Sequence, residues 1–280
     1  MSTPVSSTRT MAQSAPEPHP TPGWGAVARE EFRTAGAAIR WELAVLAVVI
    51  GTVTLISLAF SIQGVFTEPL ALGDMALPLT VLALLAPVGI WKGELPTPAY
   101  RWSMPLDRPR HTLLKVLGGW ALLMVFVAAY LLWVLALNSL AQGEVHVGVE
   151  WAHVMTRRQL PPDARIVDML VADHPWIHVV PFTSATFCYL LGSAVVLSSR
   201  HPWRWLAGTV FGWFAMGQFV TAGKIEWLAN ARGAVMAGRY GLVSALTGVP
   251  GAGAWIGSTL LWTALAAAGV VAAAYRHRDA

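Results

Sequence analysis

Glu94–Lys115, ELPTPAYRWSMPLDRPRHTLLK, is a short, proline-broken, basic segment held between two long apolar runs. Arg101, Arg108, Arg110 and Lys115 against Glu94 and Asp107 leave a net charge of +2, and Lys92 just before adds one more. The flanking runs, about 75–91 and 116–138, are long and apolar enough to be expected to cross a bilayer. The segment between them is therefore expected at one membrane face. Short loops rich in Lys and Arg are retained in the cytoplasm, so that face is expected to be the inner one.

The rest of the chain has the composition this implies. Of its 280 residues, 55% are hydrophobic and 12% charged, with a mean hydropathy of +0.55. Soluble domains carry about 25% charged residues. The class expected is an all-α polytopic membrane protein. An isoelectric point near 9.6 raises the question of nucleic acid, but the basic residues lie beside apolar runs, where anchoring to the inner face accounts for them. No nucleic-acid partner is expected. The single cysteine, Cys188, lies within an apolar run, which rules out an intramolecular disulfide and a thiolate metal site.

Residues 1–23 are rich in Ser, Thr, Pro and Ala and are expected to form a disordered tail. No signal peptide is read, because the first apolar run starts near Leu43 and is too long for one. Residues 24–40 place Val27, Phe32, Ala35 and Ile39 near one side and Arg29, Glu30, Arg33 and Arg40 on the other. That pattern predicts an amphipathic elbow helix in the inner interface, ahead of the first span. Spans are expected near 43–62, 75–91, 116–138, 177–198, 205–222 and 254–275. Pro78 and Pro87 predict a kink in the second.

Residues 24–280 then form one six-span domain with both termini cytoplasmic, the inner loop at 92–115 and outer loops at 139–176 and 223–253. With this topology four Lys and Arg before residue 41, five in 92–115, two in 200–204 and two in 276–278 face inside, against six outside. The inverted arrangement would reverse that excess. The apolar, glycine-rich stretch from Tyr240 to Gly253 is expected to dip back beside protein.

No Asp, Glu, Lys or Arg falls inside any expected span. Ion-coupled carriers keep such residues where they bind or relay charge, at about 2.5–3.5 kcal/mol each, so ion-driven transport is disfavoured. The nearest approach to a phosphate-binding loop, Gly217 to Ile225, has five residues between its glycines where four are needed, and Ile225 where a hydroxyl is needed. No nucleotide or other cofactor is expected on this chain. His174 and His178 share one helix face at i, i+4 spacing, but no HExxH accompanies them. Solvated or interfacial histidines are the simpler account, and a metal site the alternative. Nine of the 14 tryptophans, Trp24, Trp41, Trp91, Trp102, Trp120, Trp176, Trp203, Trp205 and Trp227, lie near expected span ends, as an aromatic belt would. Gly208 with Gly212, and Gly253 with Gly257, recur at four-residue spacing that allows close helix approach, within one subunit or across a homodimer seam.

Within the loop, Pro105 and Pro109 fix a turn that Asp107 can cap, and His111 starts the next helix. A rigid basic knuckle on short tethers suits docking to another protein. Gly93-Glu94, then Trp102-Ser-Met104-Pro105-Leu-Asp107-Arg108, then Leu113-Leu114-Lys115-Val-Leu-Gly118-Gly119 resemble the coupling region of permease subunits of the type-2 ATP-binding-cassette (ABC) exporters. The likeness covers most of 24–275 by topology and about 30 residues by motif. Leu95-Pro96-Thr97 stands where that family has Gly-Thr, which predicts a differently shaped coupling helix.

The resemblance implies that the loop fits a groove on a separate ATPase subunit, which holds ATP and Mg. Glu94, Arg101, Asp107, Arg108 and Arg110 would supply polar contacts, and Trp102, Met104 and Pro105 the apolar knob. It further implies a second permease subunit, identical or similar, and a lipophilic or amphipathic cargo. On this expectation the chain is a transport subunit rather than an enzyme. A membrane-embedded enzyme using the outer histidines, and a non-transporting scaffold or sensor, are the alternatives.

Overall fold

The computed structural model describes residues 24–62, 76–92, 108–140, 179–199, 201–223, 226–237, 240–247 and 252–276. The expected tail, most of the basic loop and nearly all of the outer loop 139–176 lie outside these residues.

The described residues form helices joined by turns, and contain no strands. In chain order these are α1 (Trp24–Ile62), α2 (Ala76–Trp91), α3 (Arg108–Leu140), α4 (Val180–Ser198), α5 (Pro202–Gly223), α6 (Glu226–Ala237), α7 (Leu242–Thr247) and α8 (Ala252–Arg276). Four segments are long and apolar enough to cross a membrane: Gly25–Ile56, Pro109–Trp133, Val180–Ser198 and Ala252–Arg276. The apolar stretch Leu79–Trp91 of α2 is shorter, and α5 is not among the four. The described residues are thus all helical, with segments long and apolar enough to span a membrane.

The elbow and the first span are not set apart. α1 runs unbroken over 39 residues, about 58 Å at 1.5 Å per residue. The sequence between them, Arg40-Trp41-Glu42-Leu43, holds neither Gly nor Pro to stop a helix. The apolar side expected to lie on the membrane is instead partly covered by protein. Ala35 and Ile39 are buried, Ile39 against Gly89 of α2, and the backbone at Glu31 and Phe32 faces Gly118 of α3.

Three contacts along α1 set its direction. Phe32 lies beside Gly118, Gly36 beside Leu122, and Trp133 Nε1 donates to Thr54 Oγ1 at 2.9 Å. Both numbers rise together, so α1 and α3 run parallel. Tyr189 of α4 meets Val116 and Thr186 meets Trp120, so α4 runs opposite to α3. Phe187 packs edge-on to Trp262 at 6.1 Å between centroids, and Ala194 approaches Gly269, so α8 runs parallel to α4. The N-terminal ends of α1 and α3 therefore share one end of the bundle with the C-terminal ends of α2, α4 and α8.

Glycine decides the contact between α2 and α4. Any Cβ on Gly192 would overlap the Leu84 carbonyl, so α2 and α4 touch backbone to backbone, with the buried Pro87 ring alongside. Pro87 lies within α2 and withholds the N–H that would bond Ala83. α4, with Pro181 in its first turn, is the most buried of the long helices and forms the centre of the core with α2 and α3. The turn to α5 is closed by the His201 amide donating to Ser199 Oγ at 3.1 Å. At the opposite end α7 buries Ser244 and Ala245 against neighbouring helices.

Candidate functional site

The site that the helices build is the root of the basic loop, where α2 ends and α3 begins. At the leaving end, Trp91 is buried, and the Lys92 amide turns back to donate to the Gly89 carbonyl at 3.3 Å. At the returning end, α3 starts at Arg108 with Pro109 in its first turn, three residues before the expected start at His111. Pro109 is thus part of the helix rather than of the turn.

Two side chains fasten α3 to its neighbours. The Lys115 side chain is only 2% exposed. Its ammonium sits over the Trp91 ring, 4.7 Å from the centroid. An aromatic face attracts a desolvated cation by about 2 kcal/mol, so this contact joins the two ends of the loop directly. One turn earlier, His111 Nε2 donates to Glu31 Oε1 of α1 at 2.8 Å. The pair is mostly covered, at 24% and 12% exposure. Arg110, just before His111, is exposed.

The grip continues inward. Tyr189, fully buried on α4, donates its hydroxyl to the Val116 carbonyl at 3.0 Å. Its hydroxyl and ring fill the space beside Gly119, where a Cβ would collide with the hydroxyl. One turn on, Trp120 Nε1 donates to Thr186 Oγ1 at 3.0 Å, and Thr186 donates to the Phe182 carbonyl at 2.7 Å. The loop root is therefore tied to α1 through His111, to α2 through Lys115, and to α4 through Val116.

Of the residues expected to contact a partner, Arg108 and Arg110 lie in the first turn of α3. Glu94, Arg101, Trp102, Met104, Pro105 and Asp107 lie outside the described residues, as do His174 and His178. Among the described residues no three metal-binding side chains come together. The glycine pairs divide. Gly257 is covered by the Tyr240 ring of its own chain, whose carbonyl accepts from Trp262 Nε1 at 2.9 Å. Gly208, Gly212 and Gly253 have nothing within 4 Å of a Cβ position.

The expected aromatic belt also divides. Trp41, Trp203, Trp205 and Trp227 are exposed, whereas Trp91 and Trp120 are used inside the bundle. Spacing alone gave no sign of the Glu31–His111 or Tyr189–Val116 contacts, 80 and 73 residues apart. The paired glycines Gly118 and Gly119, next to a lysine opening an apolar helix, were the available signal. Comparison with known protein families, characterised proteins and solved structures gave no match.

Proposed function

We propose that this chain is the membrane-embedded permease subunit of an ATP-driven exporter of the type-2 ABC kind, with a separate subunit hydrolysing ATP. α2 and α5 would then complete six spans, with both termini and loop 92–115 on the cytoplasmic side of the cell membrane. The observation that carries this is the fastening of the loop at both ends. A loop that only joined two spans would have no need of a buried lysine seated on the last tryptophan of the preceding helix.

The mechanism follows from that grip. An ATPase pressing on the knuckle moves α1, α2, α3 and α4 together, because Glu31–His111, Trp91–Lys115 and Val116–Tyr189 link all four. Two such subunits, identical or similar, rocking against one another would open and close a path between them, a rigid-body transition driven from one face. α2 and α4 carry no charged residue at all, and α8 none before Arg276, which favours a lipophilic or amphipathic cargo. The open Gly208–Gly212 face of α5 offers a seam for the second subunit.

Affinity purification of the chain from its native membrane, followed by mass spectrometry, tests the proposal. An ATPase subunit should copurify, and Arg108→Glu with Arg110→Glu should abolish its recovery. Labelling of a cysteine introduced between 94 and 107 from outside intact cells would place the loop on the wrong side and end the proposal.

A further inference from the structure

The arginines on the N-terminal half of α1 take no part in the loop root. Arg29, Arg33 and Arg40 are all exposed. At 3.6 residues per turn they fall within about 40° of one another, a single stripe along the helix. Ala35 and Ile39, which mark the buried face, lie about 140° and 100° from the centre of the stripe, while Gly36, beside Leu122 of α3, borders it. The acidic neighbours do not share the stripe. Glu30 and Glu42 lie about 80° and 160° from the centre of the stripe, and Glu31 is held by His111. Positive charge is therefore presented to one side.

The surroundings of the stripe indicate what it faces. It runs along the side of the bundle beside the first turns of Pro109–Trp133, a helix apolar enough to span a membrane. Trp41 is 69% exposed at the inner end of the stripe, with the Arg40 guanidinium 5.6 Å from its ring centroid. At the same end of the bundle the start of α5 repeats the combination, with Trp203 and Trp205 exposed on either side of exposed Arg204. Tryptophan beside arginine at the end of apolar helices is the chemistry of the headgroup layer, where the indole sits between hydrocarbon and water and the guanidinium meets phosphate. Arginine also presents a planar fork that matches a phosphate.

We infer that the Arg29–Arg33–Arg40 stripe of α1 is a binding surface for anionic phospholipid headgroups, with Trp41 seated at the headgroup level. It would hold α1 in place on the face from which the loop is worked. This inference needs only the membrane location of the chain and stands apart from the exporter proposal.

The full chain, purified in neutral detergent, is incubated with mixed micelles of phosphatidylglycerol or of phosphatidylcholine, and retained lipid is measured by native mass spectrometry. Each arginine near an anionic surface contributes about fivefold, so a preference for phosphatidylglycerol of about a hundredfold is expected. It should collapse in 1 M salt and approach parity in Arg29→Gln/Arg33→Gln/Arg40→Gln, with helical circular dichroism unchanged. Equal retention of the two lipids by the unaltered protein overturns the inference. So does a preference that neither salt nor Arg33→Gln alone reduces, a comparison that decides the matter if the triple variant does not fold. Capture of an acidic polyglutamate peptide without any preference for phosphatidylglycerol would assign the stripe to a protein partner and overturn it equally.

Discussion

The Tyr189 hydroxyl occupies the place that a side chain at position 119 would need, and from there it donates to the Val116 carbonyl at 3.0 Å. Gly119 and Tyr189 are thus two halves of one contact between α3 and α4. Gly119→Ala should push the ring out and break the bond, with a loss of about 1–3 kcal/mol typical of overfilled cores. Tyr189→Phe keeps the ring and removes only the bond, a loss of about 1 kcal/mol. Thermal unfolding in detergent ranks the two, and Gly119→Ala as stable as the unaltered chain would refute the contact.

A second prediction concerns Lys115, whose ammonium is stacked on Trp91 and nearly sealed from solvent. Trp91→Leu removes the ring from beside that cation and should destabilise by about 2 kcal/mol, the worth of a desolvated cation–ring contact. Lys115→Met fills similar space without a charge and should be milder. If ring and cation act as a pair, the double variant will be more stable than the sum of the two losses allows. Additive losses in that cycle would mean the two side chains are neighbours without being partners.

The His111–Glu31 contact is of a different kind. Both side chains keep some solvent exposure, and such a hydrogen bond contributes about 1 kcal/mol. His111→Gln retains a donor and should unfold within a degree or two of the unaltered protein. His111→Ala should loosen α1 from α3 and speed hydrogen exchange in the first turns of α1, where Glu31 lies, while leaving α4 unchanged. Equal protection of residues 24–40 in the two variants would count against a role for this pair in holding α1.

The helical, membrane-spanning class and most helix positions were legible in the sequence because they rest on apolar run length, which one residue cannot overturn. Pro109, Pro181 and Pro202 in first turns kept the starts of α3, α4 and α5 within a few residues of expectation. The junction of elbow and first span was not legible, since α1 runs through it unbroken. Amphipathic periodicity in 24–40 shows that one side is apolar but not whether lipid or protein covers it, and α2 and α3 supply the cover. Trp91 and Trp120 were assigned to a belt by position along the chain, yet rotation about the helix turns both inward. At the loop, charge and proline were legible, whereas the burial of Lys115 depends on Trp91, 24 positions earlier and across the loop.

The glycines provide the last prediction, because identical substitutions should differ according to what lies beside them. A Cβ on Gly257 would come within 2.8 Å of the Tyr240 ring, whereas Gly208 and Gly212 have only open space. Gly257→Ala should therefore displace Tyr240, whose carbonyl holds Trp262, and lower the unfolding midpoint. Gly208→Ala and Gly212→Ala should be neutral or raise stability by up to about 1 kcal/mol, because alanine restricts the unfolded chain more than glycine. Their effect, if α5 is the seam between subunits, is expected in association: the larger Gly208→Leu/Gly212→Leu should shift the mass by light scattering toward the single chain while the protomer stays folded. An unchanged mass would remove α5 from the interface, and destabilisation by Gly208→Ala in the single chain would mean that its face is covered from within.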